Sequence, residues 1–501
     1  MAKKSASYEL ALPHPGSHVP AYQWLYEGIR SEILGGRLCP GTRLPPTRDL
    51  ARQYGLARGT IVNAFDQLAS EGYVEGSVGS GTYVSKILPE SLLQVSSMRA
   101  GKPAVSRKRA SLVSGYARRV QLFPGYENRA TRAFRANLPA LDLFPTALWT
   151  RIATRRLRRI SMRNLMGCDP LGYWPLRQAV AEYLSRSRGV RCVPEQVAIV
   201  SGVQEALDLT ARLGLNPGDR VCVENPGYPG AVLAFQALGA KVCAVGIDDH
   251  GIAVRRLPPR GVRLIYVTPG HQFPLGTTMS LARRLQLLEW ARKSGAVIFE
   301  DDYDSEYRYS GRPIPALQGL DDRGLVLYAG SFSKVLFPAL RLGYMVIPFD
   351  LLDRVEVALS LTVRHAPLLE QLVVNDFLAE GHFGRHLRRM REVYAERLSV
   401  LLEEARLRLA GLLEISSVEA GLQTVGWLSG GMNAEPAATA AAERDVDVTP
   451  LGRYSQGRVV PEGLQLGFAA SDVKEIRRGV AELAIALGHV RKASHHGSKM
   501  Y

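Results

Sequence analysis

The sequence predicts an α/β protein built in two unequal parts, and three observations carry that prediction. Residues 20–85 hold three short helical patterns followed by a hairpin pattern. From about residue 136, short apolar runs alternate with helical patterns, as in a mostly parallel sheet covered by helices on both faces. Between the two lies a basic stretch with little periodicity. A length of 501 residues suits two to four domains at about 150 residues each. With 46% apolar and 22% charged residues, the composition excludes a disordered or fibrous chain. No run of about eighteen apolar residues predicts a membrane span. The opening MAKKSASYEL has no apolar segment behind its lysines, so a secretory signal is not expected and a cytoplasmic chain is. Cys39, Cys168, Cys192, Cys222 and Cys243 form no CxxC pair, which suits a reducing compartment, and no metal site is expected.

In the first part, Tyr22–Gly35 carries Leu25, Ile29 and Ile33 at helical spacing and stops at Gly35-Gly36. Thr47 is the expected N-cap of a second helix running to Tyr54 and closed by Gly55. Arg58–Ser70 is a third, with Ile61, Phe65 and Leu68 on one side. Gly72-Tyr73-Val74 and Thr82-Tyr83-Val84 flank a Gly/Ser-rich tip, as in a hairpin. This is the outline of a winged helix-turn-helix, expected over residues 1–85. Arg58, Thr60 and Asn63 fall near the start of the third helix, where a recognition helix presents polar groups to base edges. Arg43, Thr47 and Arg48 lie before and in the second helix, where they suit phosphate and edge contacts. Gly79, Gly81 and Thr82 would let a wing backbone approach phosphates closely. The ordered string GRLCPGTRLPPTRDLARQYGLARGTIVNAFDQLASEGYVEG, with GSGTYVS after it, resembles the DNA-binding domain of the GntR family of bacterial regulators.

The formal charge is +16, from 63 Lys+Arg against 47 Asp+Glu, which favours a polyanionic partner such as double-stranded DNA. Residues 86–135 hold eleven basic side chains and two acidic ones, and read as a basic flexible linker.

In the second part, expected over residues 136–490, the buried strands are Gln196–Val200, Arg220–Val223, Arg263–Thr268, Ala296–Phe299 and Leu325–Ala329. A smaller C-terminal subdomain is expected after about residue 375, and residues 491–501 form a polar tail. Five signals fall at or just beyond the ends of these strands, where open α/β sheets bind ligands. Ser331-Phe332-Ser333-Lys334 with Arg341 offers an amine for a Schiff base and hydroxyls and a guanidinium for a phosphate. Asp301 in Glu300-Asp301-Asp302-Tyr303 could pair with a pyridinium N–H, and Tyr303 could reach a phenolic oxygen. Ser201-Gly202-Val203-Gln204 is a strand-to-helix turn suited to a phosphate. Tyr228, in Asn225-Pro226-Gly227-Tyr228, offers a ring to stack on a heterocycle, and Thr268–Gly276 forms a rigid closing loop.

Taken in order and spacing, residues 165–345 resemble the fold type I aminotransferases, which use pyridoxal 5′-phosphate (PLP). The resemblance implies that Lys334 carries the cofactor, Asp301 pairs with its ring nitrogen, Tyr303 bonds O3′ and Tyr228 stacks on the ring. It also implies that Val203, Gln204, Ser331, Ser333 and Arg341 hold the phosphate. A GntR-type domain joined through a long linker to such a domain is similar to the MocR subfamily of regulators. That resemblance implies a DNA-binding homodimer sensing a small effector. A PLP-responsive regulator of vitamin B6 synthesis is one form it can take, and an active aminotransferase carrying a DNA-binding domain is the alternative. Three departures favour regulation over catalysis. Gln465 stands where aminotransferases commonly place a carboxylate-gripping arginine, Phe273 replaces the asparagine that bonds O3′, and Gly167 replaces a phosphate-binding tyrosine. His271 or Gln272 could stand in for that asparagine.

Overall fold

The computed structural model describes residue 12 and residues 19–77, 81–86, 113–123, 132–309, 315–457 and 462–497. It divides into two compact units, residues 1–110 and 111–501.

In the smaller unit, α1 (Ala21–Leu34), α2 (Thr47–Tyr54) and α3 (Arg58–Ser70) precede a hairpin of β1 (Val74–Ser77) and β2 (Gly81–Val84). Leu25, Ile29 and Ile33 of α1 meet Leu50 of α2 and Ile61, Phe65 and Leu68 of α3 in one core. Gly55 adopts φ 66°, the left-handed turn that ends α2 at no steric cost. Two expectations are corrected here. Thr47 is the first helical residue and not the cap; Pro46, whose ring fixes an extended entry at φ −57°, occupies the cap, and no side chain bonds there. The strands also extend into the supposed tip, since Glu75, Gly76 and Ser77 pair with Tyr83, Thr82 and Gly81. Gly79 lies outside the described residues.

In the larger unit, an eight-stranded sheet comprises β3 (Val197–Val200), β4 (Arg220–Asn225), β5 (Lys241–Asp248), β6 (Gly251–Ile252), β7 (Val262–Val267), β8 (Val297–Asp302), β9 (Val326–Ser331) and β10 (Gly343–Val346). Their order is β3-β10-β9-β8-β7-β4-β5-β6. Strands β9, β8, β7, β4 and β5 pair in parallel, and β10 runs antiparallel between β3 and β9. Because β10 is antiparallel to both neighbours, β3 points the same way as the parallel set. A second sheet, β11 (Leu413–Ile415), β12 (Gln423–Leu428), β13 (Thr449–Pro450) and β14 (Gly463–Gly467), packs with the long helices His382–Arg408 and Val473–Gly497.

The sequence reading of the sheet is corrected at β5, at the two-residue β6 and at β10, which it lacked. Lys241–Asp248 lies near the sheet edge, where most of its residues stay partly exposed, so it never reads as a buried run. Gly343–Val346 is fully buried and runs antiparallel between β3 and β9, a return strand that alternating strands and helices do not call for. The residues assigned to a linker are also not all featureless. Gly115–Arg119 forms a short helix, α4, whose Arg119 Nε donates to the carbonyl of Ala237 at 3.1 Å.

Candidate cofactor site and nucleic-acid interface

All five strands expected to bear the site end on one edge of the sheet. Asn225 and Ser331 are the last residues of β4 and β9, Asp301 is the penultimate residue of β8, and Ser201 and Thr268 directly follow β3 and β7. The acidic run is thus part of β8, where the pleat and the neighbouring groups give each carboxylate a different environment. Glu300 accepts from the backbone N–H groups of Leu317 and Gln318 at 2.7 and 2.8 Å. Asp302 takes Arg188 and the Tyr328 hydroxyl, each at 2.7 Å on Oδ2, so a buried guanidinium compensates its charge. Asp301 is held by a neutral donor alone. Its Oδ2 accepts from the Tyr266 hydroxyl at 2.7 Å, while Oδ1 is buried without a partner. Burial pushes the Asp301 carboxyl up to about 7, against the lowering effects of Tyr266 and of the nearby Lys334.

Lys334 donates from Nζ to the carbonyl of Asn137 at 2.8 Å. Burial lowers this amine to about 8, although Asp304 and Asp301 pull the other way. The phosphate-type groups gather at a neighbouring point. Gly202, at φ 116°, starts the helix Val203–Gly214, whose first N–H groups lack intrahelical acceptors. A Cβ on Gly202 would lie 3.7 Å from the Arg341 guanidinium, and one on Gly343 would lie 3.1 Å from the Gly202 Cα. Arg341 itself holds a left-handed φ of 50°, a strained setting for a residue with a side chain. The Ser331 hydroxyl accepts from the Ser333 N–H at 3.1 Å. The structure therefore brings Val203, Gln204, Ser331, Ser333 and Arg341 to one end of the sheet edge.

Tyr228 is tied to this turn, its hydroxyl donating to Gln204 Oε1 at 3.2 Å. Its ring centroid lies 6.3 Å from Tyr266 and 5.9 Å from Phe273. Tyr303 lies 6.1 Å from Phe273, and its hydroxyl sits 3.1 Å from His271 Nδ1. Of the two stand-ins for the missing asparagine, Gln272 has its amide N–H engaged, whereas His271 is engaged at Nδ1 alone and its Nε2 is buried without a partner. Gln272 Nε2 donates to the Pro226 carbonyl at 2.9 Å and to Glu224, while His271 Nδ1 lies 2.9 Å from Asp304. The packing also accounts for Gly167. At φ 121°, a Cβ there would fall 2.8 Å from His365 Nε2, so a tyrosine does not fit without displacing that ring.

Several contributors were missed by sequence reasoning. Tyr266 hides in the apolar run of β7, and only the adjacency of β7 and β8 puts it against Asp301. Tyr454 and Gln423 come from the second sheet region, far along the chain from Phe273 and Asn137, which they contact. Phe123 ends the described segment 113–123 with its ring 6.0 Å from Tyr228. No local signal marks these residues; they are joined by tertiary packing.

In the smaller unit, Arg58 and Asn63 are exposed on the first turns of α3 and Thr60 is half-buried. Arg43 and Arg48 are exposed, and Arg43 bridges to Tyr83 of the wing. Gly81 has φ 109°, and a Cβ there would meet the Arg43 Nε at 2.9 Å, so helix entry and wing present a continuous face with Thr82.

Residues 21–84 match the family described as bacterial regulatory proteins of the gntR family, and residues 146–481 match aminotransferase class I and II. The chain is 40% identical over 476 residues to the probable rhizopine catabolism regulatory protein MocR of Rhizobium meliloti, covering 93% of this chain and 94% of that protein. The chain belongs to the MocR subfamily of GntR-type regulators. This MocR-type chain is also 31% identical to the pyridoxine biosynthesis transcriptional regulator PdxR of Corynebacterium glutamicum, over 95% of this chain and 98% of that one. Among solved structures, LysN, an α-aminoadipate aminotransferase from Thermus thermophilus complexed with N-(5′-phosphopyridoxyl)-L-leucine, is similar with a TM-score of 0.69 and 31% identity. That match covers 76% of the MocR-type chain and 98% of LysN. The N-terminal unit is therefore a GntR-type DNA-binding domain and the larger one has the fold type I aminotransferase architecture. Among the described residues, no helix is long and apolar enough to cross a membrane.

Proposed function

We propose that this regulator holds PLP on Lys334 and senses a small molecule there, PLP itself being one candidate, and thereby alters how its dimer sits on an operator. The observation that carries the proposal is the unpartnered Oδ1 of Asp301, buried on the same sheet edge as Lys334 and the glycine-started helix. A buried orphan acceptor is costly, by about 1–3 kcal/mol, unless a donor such as a ring N–H meets it. When bound, PLP would supply an aldehyde for the lysine and an electron-withdrawing ring. The chain's part is positional. Asp301, braced by Tyr266, would face the ring nitrogen, and Tyr303, held against His271, would face O3′. Tyr228 would lie on the ring, and Val203, Gln204, Ser331, Ser333 and Arg341 would hold the phosphate.

The domain division proposed is residues 1–85 for DNA binding, 86–135 for the linker, 136–490 for PLP and 491–501 for the tail, corrected at two joints: Ala133 and Phe134 are already buried in the larger unit's core, and the helix Val473–Gly497 runs through residue 490. Arg58, Thr60 and Asn63 would read bases, while Arg43, Thr47, Arg48, Gly79, Gly81 and Thr82 would track the backbone. A homodimer is supported by the exposure of Met162, Leu165 and Met166, at 77%, 62% and 83%, a cluster of apolar side chains left open to solvent. Two DNA-binding units would then read two half-sites.

Regulation without turnover is the reading preferred. An active aminotransferase is the second reading, favoured by Lys334, Asp301 and Tyr303 standing together, and opposed by Gln465 at the carboxylate position. The discriminating experiment incubates PLP-loaded protein with a panel of amino acids and follows the cofactor spectrum, where sustained conversion would favour the enzyme. For the regulator, a footprint on DNA upstream of the chain's own gene should change when PLP is added, and an unchanged footprint would count against it.

A further inference from the structure

Two glutamine amides beside the site are each half-satisfied. Gln423 is 1% exposed on β12, and its Oε1 accepts from the N–H of Asn137 at 3.0 Å. Asn137 is the residue whose carbonyl receives Lys334, so this amide stands one residue from the reactive amine. Gln465 is fully buried on β14, and its Oε1 accepts from the Tyr454 hydroxyl at 2.8 Å. The Tyr454 ring lies 5.0 Å from Phe273, the ring that contacts both Tyr228 and Tyr303. In each case Nε2 is buried with no acceptor.

The sheet register puts the two amides side by side. Gln465 lies directly opposite Val425, and Gln423 is two residues along the same strand. Alternation places residues 423, 425 and 465 on one face, and such diagonal neighbours lie about 7–8 Å apart. Two N–H donors that want acceptors thus stand together, one linked to Lys334 through Asn137 and the other to the aromatic wall through Tyr454. Their partners in the protein are a peptide N–H and a phenol, neither charged.

That arrangement selects for the oxygen it lacks. An amide N–H bonds a hydroxyl, an ether or a carboxamide oxygen without a compensating cation. A carboxylate brought to the same place would have to shed its water without a guanidinium or ammonium to replace it, and burial of an unpaired charge is far costlier than burial of a neutral acceptor. We propose that Gln423 and Gln465 form a recognition wall for a small amine bearing neutral oxygens, a hydroxylated or carboxamide compound and not an amino acid. This rests on the reading of Lys334 as the PLP-bearing residue, since that is what would draw an amine to the wall.

A matched series isolates the claim. Serinol, L-serinamide and L-serine share an amino group and a hydroxymethyl arm, and differ in whether the remaining group is a hydroxymethyl, a carboxamide or a carboxylate. Calorimetric binding to the full-length, PLP-loaded chain should rank serinol and serinamide at least tenfold tighter than serine. Gln465→Arg should reverse that order by restoring a cation, and Gln423→Leu should weaken serinol and serinamide while leaving serine unchanged. Circular dichroism and DNA affinity of each variant report whether it has folded. Serine binding as tightly as the neutral pair, an order unchanged in Gln465→Arg, or no binding of any of the three overturns the wall. Borohydride labelling of Lys334 in the same samples separates that failure from failure of the cofactor reading. A labelled lysine with no neutral preference sinks only the wall, whereas an unlabelled lysine sinks both.

Discussion

The two units of this chain place their candidate functional residues in opposite physical settings. In the DNA-binding unit, Arg43, Arg48, Arg58 and Asn63 are exposed side chains on a small closed core, and nothing about their positions demands burial. At the sheet edge of the larger unit, Asp301 is a buried carboxyl pushed up to about 7, and burial brings Lys334 down to about 8. On the proposed function, one region would act through charges kept in water and the other through charges deprived of it. The first should therefore respond to salt and the second to pH, and substitutions in one should leave the other largely untouched.

The largest expected effect is that of Lys334→Ala. It should abolish the Schiff-base absorbance band in a PLP titration while leaving operator affinity in the absence of ligand unchanged; a retained band would break the separation. Next comes Phe65→Ala in the small core, expected to cost about 3–5 kcal/mol by removing a buried ring. Calorimetry should show the transition of the DNA-binding unit moving down alone, and a matching shift in the larger unit's transition would contradict independence. Asn63→Ala should cost about 1–3 kcal/mol of operator affinity and relax sequence preference, read by gel shift on altered sites. Arg43→Ala should instead weaken all DNA alike and reduce the slope of log affinity against log salt by about one.

The pH response sharpens the contrast further. The neutral form of the Lys334 amine is the one that can join an aldehyde, and it becomes available as pH rises through the amine's pKa. With that value lowered to about 8, the rate of PLP capture should climb between about pH 7 and 9 and then level. Stopped-flow absorbance that keeps climbing toward the ordinary lysine range would contradict the burial argument. The smallest effect expected is that of Phe123→Ala, a few-fold change in PLP affinity, because its ring touches Tyr228 only from an exposed segment. Fluorescence titration would measure it, and a loss as large as that of Lys334→Ala would make this segment part of the site proper.

What the sequence disclosed follows the same division. The DNA-binding unit was legible because its helices are local and its surface arginines lie in one continuous string; Thr47, displaced by the rigid Pro46, was misassigned as a cap. The sheet edge was half legible. Lys334 and Asp301 follow unbroken apolar runs, which mark central strands. Tyr266 was invisible because it belongs to such a run itself, and pairing across β7 and β8 gives it its role. Gln423 and Tyr454 were invisible because the contacts that place them span long stretches of chain. Strand β5, half-exposed near an edge, lacked a pattern strong enough to read, and β10 was missed as an antiparallel return strand outside the alternation of strands and helices.

The central claim is that one buried amine at this sheet edge is built to hold PLP. Its most direct test is reduction of the full-length protein with borohydride in the presence of PLP, followed by mass-spectrometric mapping of the modified peptides. The account predicts a single phosphopyridoxyl group, on the peptide containing Lys334 and lost on competition with excess hydroxylamine before reduction. Modification spread over exposed lysines, with Lys334 untouched, would contradict it.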